Sequence, residues 1–91
     1  MRRPSNGLSE LRLGDLTTFL AVRRSGSITA AARELGVTPS QVSKAVTRLE
    51  GILRIRLLSR SSRGVSLSEA GLRVVPHIEN AVSRLQLLAR S

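Results

Sequence analysis

A chain of 91 residues, 41% apolar but only 1% aromatic, is sized for a single small domain whose core must be built from Leu, Val, Ile and Ala around the lone Phe19. Fifteen Lys and Arg against six Asp and Glu give a net charge of +9, which makes a polyanion the default partner. With no cysteine and a single histidine, His77, the chain offers no disulfide, thiolate nucleophile or metal-ligand cluster, so no cofactor or metal is expected.

Fourteen of the fifteen cations are arginine, whose planar fork matches phosphate or guanine; high-GC codon usage would give the same excess without a function. Residues 1–12 hold Pro4, Asn6 and Gly7 without an apolar period and read as a basic tail with at most a late helical turn. They lack the apolar run of a signal peptide, and no stretch approaches the ~20 residues of a membrane span. The expectation is a cytoplasmic protein with no membrane partner.

The spacing of Leu16, Phe19 and Leu20 predicts a first amphipathic helix, with Asp15 near its positive end and Gly26 as its stop. Ser27 is placed to cap a short second helix that buries Ile28, Ala31, Ala32 and Leu35, and Gly36 supplies the turn that follows. Thr38 then caps a third helix, with Pro39 at its first position and Gln41 completing a T-x-x-Q capping box, predicted to run from Pro39 to Leu53. Two capped helices joined through Gly36, Val37 and Thr38 have helix-turn-helix spacing, in which Leu35, Val37 and Val42 are expected to plug the angle between them.

At 100° per residue the third helix places Val42, Ala45, Val46, Leu49, Ile52 and Leu53 on one side and Ser40, Ser43, Lys44, Thr47 and Arg48 on the other. The second side carries two cations and no carboxylate, with Glu50 at its edge, so it can approach DNA without repulsion. Hydroxyls can reach phosphates and base edges, Lys44 can donate to guanine, and Gln41 can pair with adenine from the flank. Beyond Leu53, the segments RIRLLSR, SSRG and VSLS predict a small hairpin rich in arginine, a wing whose Arg63–Gly64 tip can enter a minor groove or lie along phosphate. Ser68 caps a last helix to about Arg90, bent at Pro76, with His77 half-buried. Two apolar stripes run along it, through Val74, Ile78, Ala81, Leu85 and Leu88 and through Val75, Ile78, Val82, Leu85 and Ala89. That surface exceeds what one small domain needs and predicts packing on another chain.

The ordered set Phe19, Gly26–Ser27, Ala31–Ala32, Leu35, Ser43, Leu49–Glu50, Leu53, Leu57, Arg60, Arg63–Gly64–Val65, Leu67 and Glu69–Ala70–Gly71 resembles the N-terminal winged helix-turn-helix of LysR-type transcriptional regulators, over residues 13–90. The resemblance implies a mostly α fold: a winged helix-turn-helix over 13–67, with a β-hairpin wing, and a long linker helix over 68–91 that pairs antiparallel with a partner's. It implies sequence-specific binding of double-stranded promoter DNA at a partly palindromic site; enzyme activity is not expected, since no nucleophile-base pair is apparent and His77 lacks a triad-like setting. Major-groove candidates are Thr38, Pro39, Ser40, Gln41, Ser43, Lys44, Thr47 and Arg48. Wing and backbone candidates are Ser27, Arg60, Ser62, Arg63 and Gly64. The homodimer seam is expected at Val74, Ile78, Ala81, Val82, Leu85 and Leu88, with higher oligomers formed through an effector-binding domain that this chain lacks. The chain is therefore expected to be a fragment of a longer regulator, with a natural stand-alone protein as the alternative. Arg54 stands where the family usually has Gly and Leu58 where it usually has Phe, which leaves the path into the wing open to a different packing. A protein-binding winged helix and a non-specific nucleoid-coating protein remain the alternatives at this level.

Overall fold

The computed structural model describes residues 7–61 and 64–91. A short 3-10 turn, Leu8–Glu10, precedes helices α1 (Leu13–Ser25), α2 (Ile28–Leu35) and α3 (Pro39–Leu53); strands β1 (Leu58–Ser61) and β2 (Gly64–Leu67) form an antiparallel hairpin; and α4 (Glu69–Arg90) closes the chain. The caps read from the sequence are made. Ser27 Oγ accepts from the Ala30 N–H at 2.9 Å, and Ser68 Oγ accepts from the Gly71 N–H at 2.9 Å. Thr38 Oγ1 accepts from the Gln41 N–H at 3.1 Å while Gln41 Oε1 accepts from the Thr38 N–H at 2.9 Å, a reciprocal box that satisfies two helix-end donors. Gly36, at φ 72°, turns the chain between α2 and α3 in the left-handed conformation that its missing Cβ permits.

α1 runs through the centre, packed against α2, α3 and α4. Phe19 is fully buried among Val42, Leu49 and Leu57, and the alanines Ala21, Ala31 and Ala32 let the helix backbones approach closely. Removing a Leu or Phe side chain of this kind from water stabilises by about 1.5–3 kcal/mol. The second helix was expected to bury Leu35, and Val37 to plug the corner. Both are partly exposed, at 37% and 39%. Leu35 is the last residue of α2, and with Val37 it forms the rim of a shallow cleft against Gly14 and Thr17, while Val42, Ala31 and Ala32 fill the interior of the angle.

The wing is shorter than its sequence pattern. Of RIRLLSR, only Leu58 onward is strand, paired Leu58↔Leu67 through Ser61↔Gly64. Leu57 and Leu58 are consecutive yet both buried, which strand alternation forbids. Leu57 belongs to the link beneath α4, where its carbonyl accepts the Ser68 N–H at 2.9 Å, and Leu58 begins the strand. α4 continues unbroken through Pro76. Its faces differ from the expectation: Val75, Ile78 and Val82 are buried in this chain's own core, whereas Ala81, Leu85 and Leu88 are exposed and Val74 is half-buried. His77, expected half-buried, is exposed.

Candidate nucleic-acid interface

The outer face of α3 carries Ser40, Lys44 and Thr47, all exposed, with Ser43 half-buried beside them. Thr38, Pro39 and Gln41 are exposed at its N-terminal end. Gln41 is held by the capping box, so a contact with adenine would give up the bond to the Thr38 N–H. Lys44 makes no ion pair among the described residues. Arg60 on β1 reaches toward this face, its Nη2 3.5 Å from Ser43 Oγ, a weak contact that sets the wing strand beside the helix.

Arg48 has a different partner from the one the helical wheel suggests. Its Nε donates to Asp15 Oδ2 at 2.8 Å and its Nη2 to Asp15 Oδ1 at 2.9 Å, a two-bond fork onto a carboxylate that is itself buried. The hydrogen bond to Asp15 raises the guanidinium pKa above its ordinary value, against a smaller effect of burial in the other direction. The expected groove contact of Arg48 is therefore corrected: its guanidinium ties α3 to the first turn of α1.

Glu50 is similarly engaged. Its Oε2 accepts from the Leu57 N–H at 2.7 Å and the Leu58 N–H at 3.2 Å, so the carboxylate at the edge of the face is turned into the base of the wing. Glu34 is paired with Arg24 on the far side of α2. Asp15 and Glu50 are thus engaged within the fold, and the groove between α3 and β1, about 540 Å³ and lined by Thr47, Glu50, Gly51, Arg54, Arg56 and Arg60, holds three arginines beside one carboxylate, with no ion pair between them among the described residues.

Among the wing candidates, Gly64 opens β2 at φ 115°, Arg60 is exposed on β1, and Ser62 and Arg63 lie outside the described residues. Ser27, half-buried, accepts the Ala30 N–H on its Oγ as the cap of α2. The sequence marks Asp15 as a helix-start acid and Glu50 as an edge residue but not their partners; Asp15 meets Arg48 across 33 positions, a separation at which sequence carries no local signal.

Three helices with a two-strand hairpin beside the third define a winged helix-turn-helix, the class in which the second helix of the motif reads a major groove. Residues 13–72 match the family of bacterial regulatory helix-turn-helix proteins, lysR family. The chain belongs to that family. It is 42% identical over 74 residues to the transcriptional activator TtdR of Escherichia coli, covering 81% of this chain and 24% of that protein. To the transcriptional regulator PerR of E. coli it is 37% identical over 79 residues, covering 87% and 27%. The chain thus spans about a quarter of the length of these relatives. Its fold superposes on a BenM DBD bound to benA site 1 DNA with a TM-score of 0.80 at 29% identity, covering 88% of this chain and 90% of that one. The CbnR DBD in a DNA complex gives 0.76 at 31% identity, covering 88% of each chain. The helix-turn-helix is the DNA-binding domain of a LysR-type transcriptional regulator.

Proposed function

We propose that this chain binds double-stranded promoter DNA as a homodimer in the bacterial cytoplasm, with the N-terminal half of α3 in the major groove and the wing along the flanking backbone or minor groove. The observation that carries this reading is the acid-free outer face of α3: its nearest carboxylates, Asp15 and Glu50, are spent on Arg48 and on the wing amides. Ser40, Ser43, Lys44 and Thr47 are then the direct readers, with Lys44 donating to guanine and the hydroxyls meeting phosphate or base edges. Ser27, Arg60, Arg63 and Gly64 are assigned to the phosphate backbone and the wing. The work is binding rather than catalysis, and control of transcription follows from where the site lies.

For the dimer, the buried positions Ile78 and Val82 are withdrawn from the seam, which is assigned instead to Ala81, Leu85 and Leu88, exposed along one face of α4. An apolar cleft of about 310 Å³ bordered by Leu11, Leu53, Val74 and Ala81 continues that surface toward the body of the domain. A two-fold dimer prefers a roughly palindromic site with half-sites about one helical turn, ~34 Å, apart or a multiple of it. Selection of bound duplexes from a random pool tests this directly. An enriched two-half-site motif is expected; recovery of unenriched sequence at every salt concentration identifies a non-specific coating protein instead, and no recovery of DNA leaves the protein-binding alternative.

A further inference from the structure

Arg54 is the only non-glycine residue at positive φ among the described residues, at φ 61° and ψ 36° on the C-terminal cap of α3. Its N–H closes the helix by donating to the Glu50 carbonyl at 2.8 Å. Any side chain with a Cβ is disfavoured in that left-handed conformation, and glycine is the residue that fits it without strain. A strained backbone retained in a fold is a reason to ask what its side chain does.

The side chain lines the groove between α3 and β1, in the company of Arg56 and Arg60 and of Thr47 from the outer face of α3. All three arginines are exposed. Two carboxylates border the cluster. Glu50 is committed to the amides of Leu57 and Leu58. Glu10 lies on the opposite side of Arg54, in a second groove shared with Arg12, and makes no ion pair with it among the described residues. The groove therefore extends the reading face of α3, through Thr47, into a cationic trough.

We propose that Arg54 contacts a DNA phosphate: the strand bordering the major groove read by α3 passes through the α3–β1 trough, where Arg54, with Arg56, neutralises phosphodiester oxygens outside the bases that Ser43 and Lys44 meet. This rests on the DNA-binding reading above. It accounts for an arginine at a position whose backbone favours glycine, because the cation adds sequence-independent affinity at the expense of local strain. The alternative role is a cation at a helix C-terminus stabilising the helix dipole, which needs no DNA.

Arg54→Gly separates the two, since it relieves the backbone and removes only the cation. The chain is titrated with a fluorescently labelled mixed-sequence duplex over a range of salt, and its thermal melting is recorded in parallel. The expected result is a log-log salt slope reduced by ~0.9 per lost phosphate contact, about 1.8 for a dimer, which at 0.15 M salt is roughly 30-fold weaker binding, with a melting temperature equal to or above the parent's. Arg54→Lys, which keeps a point charge, is expected to retain the parent slope. A parent that binds with a steep slope that Arg54→Gly leaves unchanged overturns the trough contact while DNA binding stands. A parent that binds no duplex at all overturns both.

Discussion

Two glycines in helices, Gly51 and Gly71, are predicted to respond to alanine with opposite signs. At Gly51, inside α3, an added Cβ meets nothing within 4 Å, and alanine then gains helix propensity of up to about 1 kcal/mol. At Gly71, in the first turn of α4, the same Cβ would lie 2.2 Å from the Leu57 carbonyl oxygen, 3.1 Å from its carbon and 3.3 Å from its Cα. The obstacle is backbone, and the same carbonyl accepts the Ser68 N–H, so relief requires α4 to lift away from the link into the wing. Forced overpacking costs about 1–3 kcal/mol and a lost hydrogen bond about 0.5–1.5 kcal/mol, against a propensity gain of at most about 1. The clash wins, for a net loss of about 2 kcal/mol. For a domain of this size that lowers the melting temperature by about 8–16 °C, whereas Gly51→Ala raises it by up to about 8 °C. Far-UV circular dichroism melts at one fixed protein concentration check both, because a dimer's midpoint moves with concentration. A Gly71→Ala chain melting at or above the parent would refute the close approach of α4 to Leu57.

Arg48→Ala is expected to lower the melting temperature while leaving the salt slope of DNA binding nearly unchanged, because its guanidinium is spent on Asp15; a slope reduced by a full unit per protomer would return it to the DNA face. Glu50→Ala removes the acceptor of two wing amides and should cost about 1–3 kcal/mol in denaturant melts, with an unchanged midpoint showing that water replaces the carboxylate. The two ends of α4 should part company: Leu85→Glu is expected to sediment as a folded monomer, whereas Ile78→Glu, placing a charge in the core, should unfold the domain, and an intact Leu85→Glu dimer would move the seam. Ser43→Ala and Lys44→Ala should relax base preference by ~1–3 kcal/mol where a base contact is lost, and an unaltered selection profile counts against that role.

The helices were legible because their signals are local. Thr38, Pro39 and Gln41 lie within one turn, and the capping box they spell forms with the bounds of α3 as expected. The apolar period likewise separates Val42, Val46 and Leu49 from Ser40, Lys44 and Thr47 without reference to the rest of the chain. Arg48 defeated the same reasoning, since a helical wheel gives a direction and not a partner. Leu57 and Leu58 defeated the strand pattern, because a link and a strand meet between them.

The caps and the helix-turn-helix spacing rest on residue types at short fixed separations, the basic balance on composition alone, and the family on an ordered set of residues from Phe19 to Gly71, so all four are legible without the fold. Which charges remain available, and which apolar stripe of α4 is already used, depends on how the elements pack. Asp15 finds Arg48, Glu50 finds the amides of Leu57 and Leu58, and Val75, Ile78 and Val82 turn inward while Leu85 and Leu88 stay in solvent. The physical reason is common to all three: an ion pair, a hydrogen bond or a buried face needs two partners, and here the second partner comes from another element of the fold.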